Sequence, residues 1–307
     1  MFFKCLSCII LFSEQIFPLL GYVIPPVTAN NNSFINDPDS LSIFAKYEEW
    51  NPRVINGWEA KLGDVPYQAA LKMMISRAKG LFMTFCGAVI IAPKKLLSAA
   101  HCFEEKERIS DCEKILCPGR VSKTKIKHIH VVGGTLKNIA RHGSDGQWRR
   151  LLKVRLPGSY KFPKDDIAVL IIKEKFEFNY EIGPIPLASV DGNYEGKCLA
   201  SGYGRTGTSE DSVPSQYLLM VHLTIIPKEV CNMLKKNSEH FICTSVKFTN
   251  LGSGDSGGPL VCSGTGDPNE GSSGVLVGIT SATIKAYADW GGMAKGNSET
   301  RHSSALH

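Results

Sequence analysis

Gly254-Asp255-Ser256-Gly257-Gly258-Pro259-Leu260 sets one serine among glycines just ahead of a short apolar run. The glycines leave the approach to the hydroxyl unobstructed and let backbone N–H groups turn toward it. By itself the stretch is ambiguous. It satisfies the G-x-S-x-G pattern of a nucleophile elbow on an α/β sheet, and it suits a flexible loop without chemistry equally well. The elbow needs its acid and then its histidine after the serine, whereas the candidates for both precede Ser256 in this chain.

Reading toward the N-terminus, the histidine is His101 in Leu97-Ser98-Ala99-Ala100-His101-Cys102. A lone histidine is more often structural, but the adjoining cysteine offers a bridge that would fix its backbone. Asp166 lies in Lys164-Asp165-Asp166-Ile167-Ala168-Val169-Leu170, at the mouth of a strongly apolar strand. A carboxylate leading into a buried strand is costly unless paired, and a histidine partner would offset that cost. Together the three segments resemble the catalytic boxes of the trypsin and chymotrypsin family of serine peptidases, in that family's order His, Asp, Ser.

The resemblance spans about residues 54–281 and implies an all-β fold: two six-stranded antiparallel Greek-key barrels with the active site in the cleft between them. It implies Ser256 as nucleophile, His101 as general base and later general acid, and Asp166 as the carboxylate that orients the imidazole. Asp166 is preferred to Asp165 because the family's acid directly precedes Ile-Ala or a similar pair. The N–H groups of Gly254 and Ser256 would form the oxyanion hole. Arg53-Val54-Ile55-Asn56-Gly57 resembles the family's activation site, so a cut after Arg53 would free the α-amino group of Val54 to pair with Asp255. The implied partners are protein or peptide substrates, an activating trypsin-like protease and protein protease inhibitors. Asn250 corresponds to the floor of the primary specificity pocket, with Leu251 and Ser281 beside it. Its uncharged amide leaves a buried arginine or lysine uncompensated, which implies a preference for large apolar or aromatic residues.

Ten cysteines at this chain length indicate an oxidising compartment. Cys5 and Cys8 belong to the leader, and the other eight are even in number. The resemblance implies Cys86–Cys102, Cys198–Cys262 and Cys231–Cys243, and leaves Cys112 and Cys117 to pair locally. Zinc would need further ligands near those two, and none is evident. No metal or cofactor is called for.

The rest of the chain organises around this domain. At 307 residues, 43% hydrophobic and 21% charged, it can bury one large core or two modest ones, and its bulk is not disordered. Residues 1–25 read as a secretory signal peptide, because Glu14 breaks the apolar run well short of a bilayer span. Residues 26–53 are polar and read as a propeptide or linker, with one glycosylation sequon at Asn31-Asn32-Ser33. Across the peptidase domain, residues 54–290, short apolar runs such as Phe85 to Ile91, Ile126 to Val132, Ile167 to Ile172 and Val275 to Ile279 alternate with turn residues, as in an all-β barrel. Residues 291–307 read as a polar tail without regular structure. The net charge of +6 is small and its residues are scattered along the sequence, which excludes nucleic acid as a partner. Lys123, Lys125 and Lys127 read as a solvated strand face rather than a polyanion site.

The sequence departs from the family in three places. Gly252 stands where most members have a cysteine, Thr280-Ser281-Ala282-Thr283 replaces the common Ser-Trp-Gly, and the tail lacks the closing amphipathic helix. These departures open a second reading, a catalytically silent homologue acting as an extracellular binding or adaptor protein. The presence of all three boxes favours the secreted serine endopeptidase.

Overall fold

The computed structural model describes residues 9–13, 57–104, 126–189, 194–205, 213–228, 231, 241–245, 251–252, 254–286 and 301–306. These residues fall within one compact unit, Met1–Glu14 with Arg53–His307; the second unit, Gln15–Pro52, lies outside the described residues. The strands in chain order are β1 (Ile9–Ser13), β2 (Trp58–Glu59), β3 (Gln68–Ser76), β4 (Leu81–Ala92), β5 (Lys95–Ser98), β6 (His130–Gly133), β7 (Ile139–Arg141), β8 (Gln147–Arg155), β9 (Ala168–Ile172), β10 (Gly196–Gly202), β11 (Leu219–Ile225), β12 (Ile242–Ser245), β13 (Pro259–Cys262), β14 (Val275–Ala286) and β15 (Arg301–Leu306).

The first sheet runs β3-β6-β8-β9-β5-β4-β7, and the β3–β4 pairing closes six of its strands into a barrel. Closure leaves those six without a free edge. Its interior holds Leu71, Ile90, Leu96, Phe103, Ile129, Val131, Leu170 and Phe176. The second sheet runs β1-β12-β15-β14-β13-β10-β11-β2 and returns on itself where β12 also pairs β11. Its core is built from Leu219, Val221, Leu223, Leu251, Leu260 and Val277 around Cys198 and Cys262. The expectation of an all-β fold therefore holds, as one closed six-stranded barrel and a second sheet, which has eight strands and one parallel pairing.

Burial along β4 explains how the two sheets meet. From Leu81 to Phe85 exposure alternates, as in a strand with one wet face, and from Cys86 to Ile90 every residue is buried. The second half has lost its solvent face because the second sheet covers it. Val89 of β4, Leu97 of β5 and Ala70 of β3 share a cluster with Tyr203, Met220, Val261, Leu276 and Ile279 of the second sheet. At Gly87 an added Cβ would lie 2.9 Å from the backbone nitrogen of Gly258, so glycine is required for the sheets to approach this closely.

Two of the quoted apolar runs shift relative to the sequence reading, and strands also form within the tail and the leader. Ile126–Ile129 forms a turn closed by the Ile129 N–H on the Ile126 carbonyl at 3.1 Å, so β6 begins only at His130 and Lys127 lies on a turn. β14 continues past Ile279 to Ala286, and β15, within the segment read as a polar tail, pairs with it from Thr280↔Leu306 to Ala286↔Arg301. An extended β14 presents a row of backbone donors and acceptors that need partners, and β15 supplies them. β1, within the leader, pairs parallel with β12 and antiparallel with β15.

One buried charge stands out in the first barrel. Lys72 is fully buried, and its Nζ donates to Thr84 Oγ1 at 3.0 Å and to the carbonyls of Lys137 and Asn138 at 2.6 and 2.7 Å. Asn138 in turn donates to the carbonyls of Tyr203 and Ser215, which ties the network to the second sheet. Burial pushes the Lys72 pKa from 10.5 down to about 7, against an upward pull from Asp145. Between those values the unfolded chain binds more protons, so this group adds stability as pH rises, by up to about 1.4 kcal/mol per pH unit. Lys72→Met is expected to flatten the rise of the thermal midpoint between pH 7 and 9 in calorimetry, and an unchanged slope would contradict the assignment.

Candidate active site

β5 and β9 are antiparallel neighbours with Ser98 opposite Ala168. The chain leaves β5 into Ala99 and a 3-10 turn, Ala100–Phe103, and it enters β9 from Asp166 and Ile167. His101 and Asp166 therefore project from paired strand ends. Within the turn, Ala100, Cys102 and Phe103 are buried and Cys102 is bridged to Cys86 of β4. The turn is pinned on three residues, and the His101 side chain retains 24% exposure.

Asp166 is completely buried. Its Oδ1 accepts the His101 backbone N–H at 2.7 Å and its Oδ2 meets His101 Nδ1 at 2.6 Å. The Ser281 hydroxyl also donates to Oδ2. These bonds offset the desolvation of the carboxylate and, in a neutral imidazole, favour the tautomer with its proton on Nδ1. Nε2 is then the acceptor. Asp165, the competing acid, adopts φ 55° in the turn before Asp166, a left-handed conformation that aspartate tolerates better than most residues. Phe162 stands edge-on to the imidazole, with ring centroids 5.5 Å apart.

Ser256 lies in a turn whose glycines are sterically required. Gly254 has φ 106° and would carry a Cβ 3.1 Å from the Gly204 Cα; Gly257 has φ 80° and packs against Gly87 and Ser98 of the first barrel. The Gly87 N–H donates to the Ser256 carbonyl at 2.7 Å, so the first barrel holds the serine directly. From the other side, Gly257 N–H donates to the Thr280 carbonyl at 2.7 Å and Thr280 N–H to the Gly258 carbonyl at 2.9 Å. The Ser256 hydroxyl donates to the Ser281 carbonyl at 3.4 Å. Ser281 thereby touches both Asp166 and Ser256. Among the described residues neither Gly254 N–H nor Ser256 N–H donates to a backbone carbonyl.

Asp255 points away from this surface into the second sheet and is fully buried. Its carboxylate accepts the N–H groups of Gly204 and Gly252, each at 2.7 Å. A Cβ at Gly202 or Gly204 would fall on that carboxylate, which explains the glycines flanking Tyr203. Burial raises the Asp255 pKa to about 6, opposed by the two backbone donors. No cation pairs with it among the described residues.

The remaining sequence-derived residues divide. The bridges Cys86–Cys102, Cys198–Cys262 and Cys231–Cys243 are present. Arg53, Val54, Cys112, Cys117 and Asn250 lie outside the described residues. Leu251, expected beside the specificity pocket, is 3% exposed with its side chain in the second sheet's core. Ser281, expected beside the same pocket, directs its hydroxyl to Asp166 instead; a hydroxyl beside a buried carboxylate is drawn to it because the ion lacks water. Ser281 is thus a site residue whose contact the sequence did not disclose. Cys86, His101 and Cys102 are close enough to suggest a metal site, but the two sulfurs are joined to each other and offer no thiolate.

The glycine turn that carries Ser256 and the imidazole held by Asp166 are linked through Ser281, whose carbonyl receives the Ser256 hydroxyl and whose own hydroxyl bonds Asp166. The sequence matches the Trypsin family over residues 54–297. It is 30% identical over 223 residues to rat transmembrane protease serine 9, covering 69% of this chain and 18% of that much longer protein. It is 29% identical over 214 residues to human kallikrein-11, covering 68% of this chain and 67% of the relative. In structure it resembles mouse neuropsin, a serine protease, with TM-score 0.57 and 21% identity over 82% of this chain and 93% of the other. The chain belongs to the trypsin family of serine proteases.

Proposed function

We propose that the chain is a secreted serine endopeptidase, made as a precursor and activated by cleavage after Arg53. The observation that carries this reading is the Asp166 carboxylate, bonded to His101 Nδ1 at 2.6 Å and to the hydroxyl of Ser281, whose carbonyl receives the Ser256 hydroxyl. His101 Nε2 takes the Ser256 proton as Oγ attacks the scissile carbonyl, and Asp166 stabilises the imidazolium that forms. The N–H groups of Gly254 and Ser256 receive the oxyanion, and His101 then returns the proton to the leaving amine. Water repeats the sequence on the acyl-enzyme.

Activation follows from Asp255. A buried carboxylate held near pKa 6 by desolvation is a strong site for a cation, and the α-amino group of Val54 would provide one on cleavage. Pairing would fix the turn that carries Gly254 and Ser256. Three disulfides accord with an extracellular location, and among the described residues no helix is long and apolar enough to cross a membrane. Residues 1–25 would leave as a signal peptide and take β1 with them; β12 bonds β11 and β15 directly, so the sheet would stay continuous. Substrates are proteins or peptides, with protein inhibitors and an activating trypsin-like protease as partners. The resemblance that assigns Asn250 to the pocket floor implies an uncharged floor, so cleavage after large apolar or aromatic residues is expected. Profiling the Arg53-cleaved chain on a mixed peptide library tests this. A dominant preference for arginine or lysine would overturn the specificity, and no hydrolysis of any peptide would overturn the function.

A further inference from the structure

We propose that the outer face of β8, β9 and β5 is a binding surface for a sulfated polysaccharide. β9 lies between the other two strands, and its Ile171 is opposite Lys153 of β8 on one side and Lys95 of β5 on the other. Residues directly opposite across paired strands share a face, so both lysines flank Ile171 on the outside, where all three are solvent-accessible. Arg155 is opposite Val169, one step further along the same face. At the other end Lys173 N–H bonds the Arg150 carbonyl and Ile172 N–H bonds the Lys94 carbonyl, which brings three more exposed cations to the rim.

Strand geometry sets the spacing. Lys153 and Lys95 are two strands apart, roughly 10 Å, and Lys153 and Arg155 are two residues apart, roughly 7 Å. Among the described residues six cations recur on this grid, with Lys173 paired to Glu174 at 3.6 Å. The side chains between the cations, Leu152 and Ile171, are aliphatic. They offer no ring on which bases could stack, which favours a polysaccharide over single-stranded nucleic acid. The disulfides favour an oxidising, extracellular setting, where sulfated glycans are the abundant polyanions.

The test uses the full chain with heparin as probe, measured by calorimetry across a salt series. Lys95→Ser, Lys153→Ser and Arg155→Ser combined are expected to weaken heparin binding at least about tenfold and to lower the slope of log affinity against log salt by about three, one per cation removed. A control removing the exposed Lys61, Lys79 and Lys197 should stay within about twofold of the unmodified chain. Equal losses in the two triple variants, no binding by the unmodified chain, or tighter binding to a single-stranded oligonucleotide than to heparin would each overturn the proposal.

Discussion

Ser256→Ala in the Arg53-cleaved chain is expected to lower kcat/KM by about 10⁴-fold or more, with a change in stability below about 1 kcal/mol. Among the described residues the hydroxyl makes one long bond, 3.4 Å to the Ser281 carbonyl, so its loss removes little from the fold. The backbone anchors from Gly87 and Thr280 are carbonyl and amide bonds that alanine keeps. His101→Ala should cost about as much, and the double variant scarcely more, because base and nucleophile act as one unit. Steady-state kinetics with a chromogenic peptide, alongside thermal melts, measures both quantities. Ordinary turnover by Ser256→Ala would displace the nucleophile assignment.

Asp255→Asn is expected to leave a chain that is cut after Arg53 yet about 10²- to 10³-fold less active. Removing one partner of a buried ion pair costs on the order of 3–5 kcal/mol, and an amide cannot hold the Val54 ammonium in a site closed to water. The same substitution carries a signature before cleavage. The folded pKa of about 6 lies above the ordinary carboxyl value of 3.8, so the uncut chain gains stability from this group at acid pH and loses it as pH rises through about 6. Uncut Asp255→Asn should lack that decline between pH 4 and 6 in denaturant titrations. After cleavage an ammonium partner would draw the carboxyl pKa back down and reverse the dependence. Full activity of Asp255→Asn, or of the uncut precursor, would contradict the activation scheme.

The parts of this arrangement legible in sequence are those encoded within a few residues. The glycines around Ser256 announce a turn that side chains would block, and Gly254 and Gly257 do carry positive φ. His101 beside Cys102, and Asp166 before an apolar strand, are likewise local signals, and β5 and β9 join them because strand pairing places their ends together. Contacts made only by the sheets' approach were not legible. Ser281 follows Thr280 in a segment that departs from the family pattern, and only its position opposite the barrel seam shows its hydroxyl on Asp166. Leu251, next to Asn250 in sequence, is adjacent to the second core in space. Lys72 holds the fifth position of β3, where an alternating strand would put it out of phase with burial. Its burial follows from acceptors contributed by Thr84, Lys137 and Asn138, which no local pattern announces.

The central claim is that Ser256 becomes a reactive nucleophile when the chain is cut after Arg53. Treating the chain with limiting trypsin and then with a serine-directed phosphonate, followed by mass spectrometry of the peptide carrying Ser256, tests it most directly. The account predicts one adduct, on Ser256, in the cut chain and a far weaker one in the uncut chain or in cut Asp255→Asn. A folded chain, cut after Arg53 and unlabelled at Ser256, would contradict it.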